Sequence, residues 1–236
     1  MFANCKGLKY APVLPAMSVK NRSYSSMFAN CESLVNPPDL PATTLDTYCY
    51  ESMFSGCINL TSCPDLPATT LADHCYMNMF YGCKNLNYLV NAAKMLPATT
   101  LADNCYMNMF EGCKKLNVLV NADKMLPATT LAKQCYYNMF GDCTSLFNAP
   151  YLPATILNQY ENAYSRMFYN CTNLYEIHCN IRFKSDGVTE ITSKIGSSWL
   201  TNVKSGGNFY KNPEWSGPTS RGVNTILSDW KIVDWV

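Results

Sequence analysis

The five-residue motif Met-Phe-x-x-Cys recurs along this chain with its Met at positions 1, 27, 53, 79, 109, 139 and 167, spaced by 26, 26, 26, 30, 30 and 28 residues. A period of that size marks one small supersecondary unit written over and over, and it admits a solenoid far more readily than a globule with a single closed core. Each unit places a Leu seven positions after the Met, from Leu8 to Leu174, and a Leu-Pro-Ala step begins at 14, 40, 66, 96, 126 and 152. A lone unit buries too little apolar surface to offset the entropy of ordering it, so the units must stack. Residues 1–174 are therefore predicted to form a solenoid of about seven units.

Within one unit, Leu101, Cys105, Met109, Phe110, Cys113 and Leu116 are spaced like one face of an amphipathic helix. The Thr pair before them suits an N-cap, and Gly112 suits a stop near the C-terminal end. The segment 59–66, with Leu60 and then Pro64, reads as a brief strand ending in a turn. The prediction is an α/β repeat solenoid with one short strand and one short helix per unit of 26–30 residues. Leu-Pro-Ala-Thr-Thr is one residue short of the Leu-Pro-x-Thr-Gly signal that sortases read. It occurs four times, with Leu-Pro-Ala-Thr-Ile at 152, so it reads as the hinge of the repeat and not as an address. Its Pro fixes φ at the strand end and its Ala permits close approach.

Residues 175–236 depart from the pattern and hold all four Trp, at 199, 215, 230 and 235. They are predicted to form a Trp-rich C-terminal cap over the open end of the array. The functional alternative is a Trp platform on which sugars stack.

Thirteen Cys invite readings as a disulfide framework, a metal site or a nucleophile. Seven lie four residues after the motif Met, and Cys49, Cys75, Cys105 and Cys135 lie four before it, where flanking units hold Ser23 and Ala163. Replacement by Ser and Ala selects for small size, so these thiols are expected as reduced core filling. Cys63 and Cys179 fall outside both columns, which leaves an exposed thiol open at either position. With no Cys-x-x-Cys pair and only His74 and His178, no metal site and no cofactor are expected. Paired carboxylates, phosphate loops and nucleophile elbows are missing as motifs, so no enzyme is predicted. A formal net charge of +1 without clustered Lys or Arg argues against nucleic acid. No apolar run is long enough for membrane insertion, and the sequence shows no signal peptide.

The run Cys-Tyr-x-x-Met-Phe-x-Gly-Cys-x-x-Leu, followed by Leu-Pro-Ala-Thr-Thr-Leu-Ala, resembles the BspA-like leucine-rich repeats of surface proteins from gut and oral bacteria and of phage proteins. The resemblance covers about residues 1–174, and the tail GNFYKNPEW…SDWKIVDWV is similar to segments that close such arrays. It implies a leucine-rich-repeat-like right-handed coil and, for function, adhesins or ligand-binding surface proteins. The expected function is a non-enzymatic binding or adhesion module, at the cell surface or extracellular, whose partner is a protein or glycan on a host or neighbouring cell. The alternative is a phage structural or receptor-binding component of the virion. Nothing in the sequence sets an oligomeric state.

Ligand contacts are sought on columns that are neither core nor turn. The two units with four-residue insertions, NYLVNAAKM (87–95) and NVLVNADKM (117–125), lose the Pro that ends the strand elsewhere. Such insertions usually form loops on the binding face. Asn91, Lys94, Asn121, Asp123 and Lys124 are therefore candidate contacts, joined by Met77, Met107 and Tyr137, whose column varies between units. The Tyr column from Tyr24 to Tyr164 is expected to pack its rings between coils and keep its hydroxyls at the surface.

Overall fold

A computed structural model describes residues 1–89, 95–119, 121–154, 162–180, 197–214 and 226–235. The chain is a repeat solenoid, built by stacking one coil on the next. Its most regular part is the segment predicted as a helix. That segment is not helical: Asn104, Asn108 and Gly112 take left-handed φ values of 56, 54 and 74°. The same phase recurs in the other coils, for example at His74, Asn78 and Gly82 and at Arg22, Ser26 and Asn30. An α-helix has no room for an αL residue at every fourth position.

The backbone forms overlapping four-residue turns instead. The N–H groups of Cys105, Met107, Met109, Glu111 and Cys113 each donate to the carbonyl three residues back. The alternate N–H groups, from Asn104, Tyr106, Asn108, Phe110 and Gly112, donate to carbonyls of the next coil, at 2.8–3.0 Å. Every second turn carries its αL residue third, the requirement of a type II turn, which Gly and Asn meet at least cost. Each run of turns is thus a ladder, one set of bonds closing the coil and the other joining it to its neighbour, so its backbone donors are satisfied.

Ladders at 21–31, 47–57, 73–83, 103–113, 133–143 and 162–171 stack in this way. The bonds continue beyond residue 174, where the sequence pattern ends. Arg166, Phe168 and Asn170 donate to Ser197, Trp199 and Thr201, and αL residues recur at Ser198 and Asn202. The described part of the region expected as a cap therefore carries the coil on.

Among the described residues, the other side of the solenoid is extended and its pairings are parallel. β1 (Ser18–Val19) pairs with β2 (Thr44–Leu45), and β3 (Tyr88–Leu89) with β4 (Val118–Leu119). β5 (Glu176–Cys179), β6 (Asn208–Lys211) and β7 (Lys231–Asp234) form one three-stranded parallel sheet. No strand is assigned at 59–66, although Thr61 N–H donates to the Val35 carbonyl at 3.1 Å. The Leu and Ala of each hinge from 40 to 154 are buried, as read, while the Thr pairs are exposed. Those Thr residues cap no helix: Thr44 opens β2, and Thr70 bridges Thr100 in parallel.

The core repeats column by column. Phe rings from Phe2 to Phe168 stack at centroid distances of 5.4–6.0 Å. Tyr50, Tyr76, Tyr106, Tyr136 and Tyr164 form a second buried stack at 5.6–5.8 Å. Here the expected surface hydroxyl is corrected, because Tyr76 and Tyr164 bury theirs without a hydrogen-bond partner. The Cys column after each Met has a defined polar role. Its thiols, from Cys31 to Cys171, donate to the carbonyl of the Phe one coil earlier at 3.0–3.2 Å. Among the described residues no helix is long and apolar enough to cross a membrane.

Candidate functional site

The αL columns also organise the surface. Asn108 donates its amide to Asn78 and Asn138 to Asn108, at 2.9 and 3.2 Å, and Asn202 does the same to Asn170 at 2.7 Å. These asparagines both adopt the left-handed turn and rivet adjacent coils, so they are scaffold. Met77, Met107 and Tyr137 stand on neighbouring rungs and are half-buried. Of the two thiols outside the columns, Cys179 is buried and Cys63 half-buried, while Cys5, in the first coil, is exposed. Burial pushes the Cys63 thiol up.

A cleft lies on the strand side, beside the second insertion. There Asn121, in the left-handed region at φ 57°, opens a 3-10 turn at Ala122–Lys124. The turn is anchored because Tyr151 N–H donates to the Ala122 carbonyl at 3.0 Å. It exposes Asn121, Asp123 and Lys124. Asn121 and Asp123 line a cleft of about 460 Å³ together with Tyr151, Glu176, His178 and Trp235. Asn148 also lines it, with its amide oxygen 3.4 Å from Leu119 N–H. Lys124 does not line it, and neither do Met77, Met107 and Tyr137; Asn91 and Lys94 lie outside the described residues.

Strand alternation supplies the opposite wall. In β5 the side chains of Ile177 and Cys179 enter the core, so Glu176 and His178 face outward. His178 Nε2 sits 2.7 Å from Glu176 Oε1, and the imidazole stacks on Tyr210 of β6 at 4.3 Å. Trp235, just past β7, leans back to meet His178 at 5.4 Å and Tyr151 at 4.5 Å, edge to face with both. Burial, and secondarily the Cys179 thiol, pushes the Tyr151 phenol up, so it is a neutral hydroxyl. The lining holds Asp123 and Glu176 but, among the described residues, no Lys or Arg.

Sequence reading thus found Asn121 and Asp123 and missed Glu176, His178, Tyr151 and Asn148. Trp235 was legible only as one of four Trp. Two of its companions serve the core: Trp199 and Trp230 are buried, and Trp230 Nε1–H donates to the Lys204 carbonyl at 2.8 Å. Trp215 lies outside the described residues. No three His, Cys, Asp or Glu side chains are grouped to hold a metal ion among the described residues.

No protein-family model matches the chain. No curated protein matches it. Among solved structures the chain is similar to a leucine-rich repeat protein from Bacteroides ovatus ATCC 8483, with 17% sequence identity and a TM-score of 0.38. That likeness covers 99% of this chain and 64% of the other.

Proposed function

We propose that the chain is a non-enzymatic binding or adhesion module of the BspA-like leucine-rich-repeat kind. It acts at a cell surface or outside the cell on a protein or glycan of a host or neighbouring cell. The observation that carries this reading is the cleft, where residues from three separate coils and an insertion turn converge. Its lining combines aromatic rings, carboxylates and amides, the mix of a few oriented polar groups on apolar walls typical of ligand sites. The ladders behind it hold those groups on a rigid scaffold, which lowers the ordering cost of binding. The repeated Asn, Tyr and Phe columns are occupied with holding coils together, which leaves the non-repeating residues for recognition.

The test is an array of immobilised surface proteins and glycans probed with the labelled chain and with its Trp235→Ala variant. The reading expects hits that the variant loses while its circular-dichroism spectrum stays native. An array on which every hit survives Trp235→Ala would sink it.

A further inference from the structure

We infer that the cleft between the 121–123 turn and β5 takes a neutral glycan, a narrower statement that rests on the binding role proposed above. The charge balance of the lining leads there. Glu176 is already engaged by His178 at 2.7 Å, and Asp123 makes no side-chain hydrogen bond or ion pair among the described residues. One unpartnered carboxylate, the Asn121 amide and the Tyr151 hydroxyl line the same cleft and together supply the acceptors and donors that sugar hydroxyls pair with. A strongly basic peptide would need more than one free carboxylate. Sulfated or sialylated sugars would meet Asp123 and Glu176 with, among the described residues, no Lys or Arg lining the cleft to compensate.

The rings supply the other half of sugar recognition, a flat apolar surface for the C–H face of a pyranose. Trp235 is held perpendicular to Tyr151 and to His178, with interplanar angles of 78 and 77°. His178 is in turn fixed by its stack on Tyr210. These aromatic groups have few torsions to freeze and are already braced against each other, so contact with them is inexpensive in conformational entropy. A cleft of about 460 Å³ matches a small oligosaccharide.

The experiment titrates the intact chain with neutral trisaccharides built on glucose, mannose or galactose. A sialylated trisaccharide, a sulfated trisaccharide and a Lys-rich peptide form the other arms, and all are read by amide chemical-shift changes and calorimetry. At least one neutral trisaccharide is expected to bind and to shift amides of 121–123 and 176–178. Asp123→Asn, an exposed change that leaves folding alone, weakens it roughly tenfold, and Trp235→Ala weakens it by at least as much. Binding by the charged sugars or the peptide alone would overturn the glycan assignment. Failure of every probe would overturn it too. In both cases Trp235-dependent hits on the array would leave the binding role standing. A neutral sugar held equally well by both variants would overturn the cleft itself.

Discussion

Under reducing conditions the folded chain loses its stability abruptly between about pH 9 and 10. Eleven of the thirteen thiols are held above their ordinary value of 9.0, chiefly by burial in the stacked core. Cys49, Cys57 and Cys135 are pushed up to about 12. The sign follows from proton counting. Below the ordinary thiol range both states keep their protons, and the Cys residues leave stability independent of pH. Above it the unfolded chain ionises while the folded chain stays protonated, so the unfolded state binds fewer protons and gains ground. Each of the ten strongly raised thiols then removes about 1.4 kcal/mol per pH unit, about 14 kcal/mol together, to which the lesser rise of Cys31 adds little. A stability of about 5–15 kcal/mol does not survive one such unit. Replacing Cys49, Cys75, Cys105 and Cys135 by Ala, the residue that stands at 163 in the same column, moves the midpoint up by about half a pH unit. Circular dichroism across an alkaline titration measures both. A native signal that persists well beyond pH ~10 would mean the thiols already ionise in the folded chain.

Phe110→Ala is the substitution expected to cost most. Its ring is fully buried and touches Phe80 at 5.6 Å and Phe140 at 5.4 Å, so truncation opens a cavity across two coil interfaces at once. A buried Phe truncated to Ala loses about 3–5 kcal/mol. In a chain of this size that lowers the thermal midpoint by roughly 6–20 °C. Because each coil contacts mainly its neighbours, the damage concentrates at the centre of the array. The same change at Phe2, half-buried with a single ring neighbour, costs about 1 kcal/mol or less. Thermal unfolding of the two variants makes the comparison, and equal losses would contradict a core organised as a stack of rungs.

The period of the Met-Phe-x-x-Cys motif, and with it the stacking and the identity of the buried columns, was legible because a buried column asks for the same residue in each coil. The helix was misread for a definable reason. Apolar residues at Cys105, Met109 and Cys113 recur every four positions, which over a short span resembles a helical face. A four-residue step overshoots a helical turn by about 40°, however, and three such steps leave the face altogether. The discriminating signal was in phase with those residues: Asn104, Asn108 and Gly112 tolerate the left-handed region, and Asn78, Gly82, Asn138 and Asp142 repeat the choice. The cleft was half legible. Loss of the strand-ending Pro pointed to Asn121 and Asp123, whereas Glu176, His178 and Trp235 come together only because β5, β6 and β7 stack in parallel beyond the recognisable repeats.

The ladder of turns is the claim on which the rest stands, since it sets the coil, the columns and the wall behind the cleft. Backbone chemical shifts of the isotope-labelled chain test it residue by residue. The account predicts left-handed φ values at Asn78, Asn108 and Asn138, separated by residues on the right-handed or extended side. Uninterrupted α-helical shifts from 101 to 113 would contradict it.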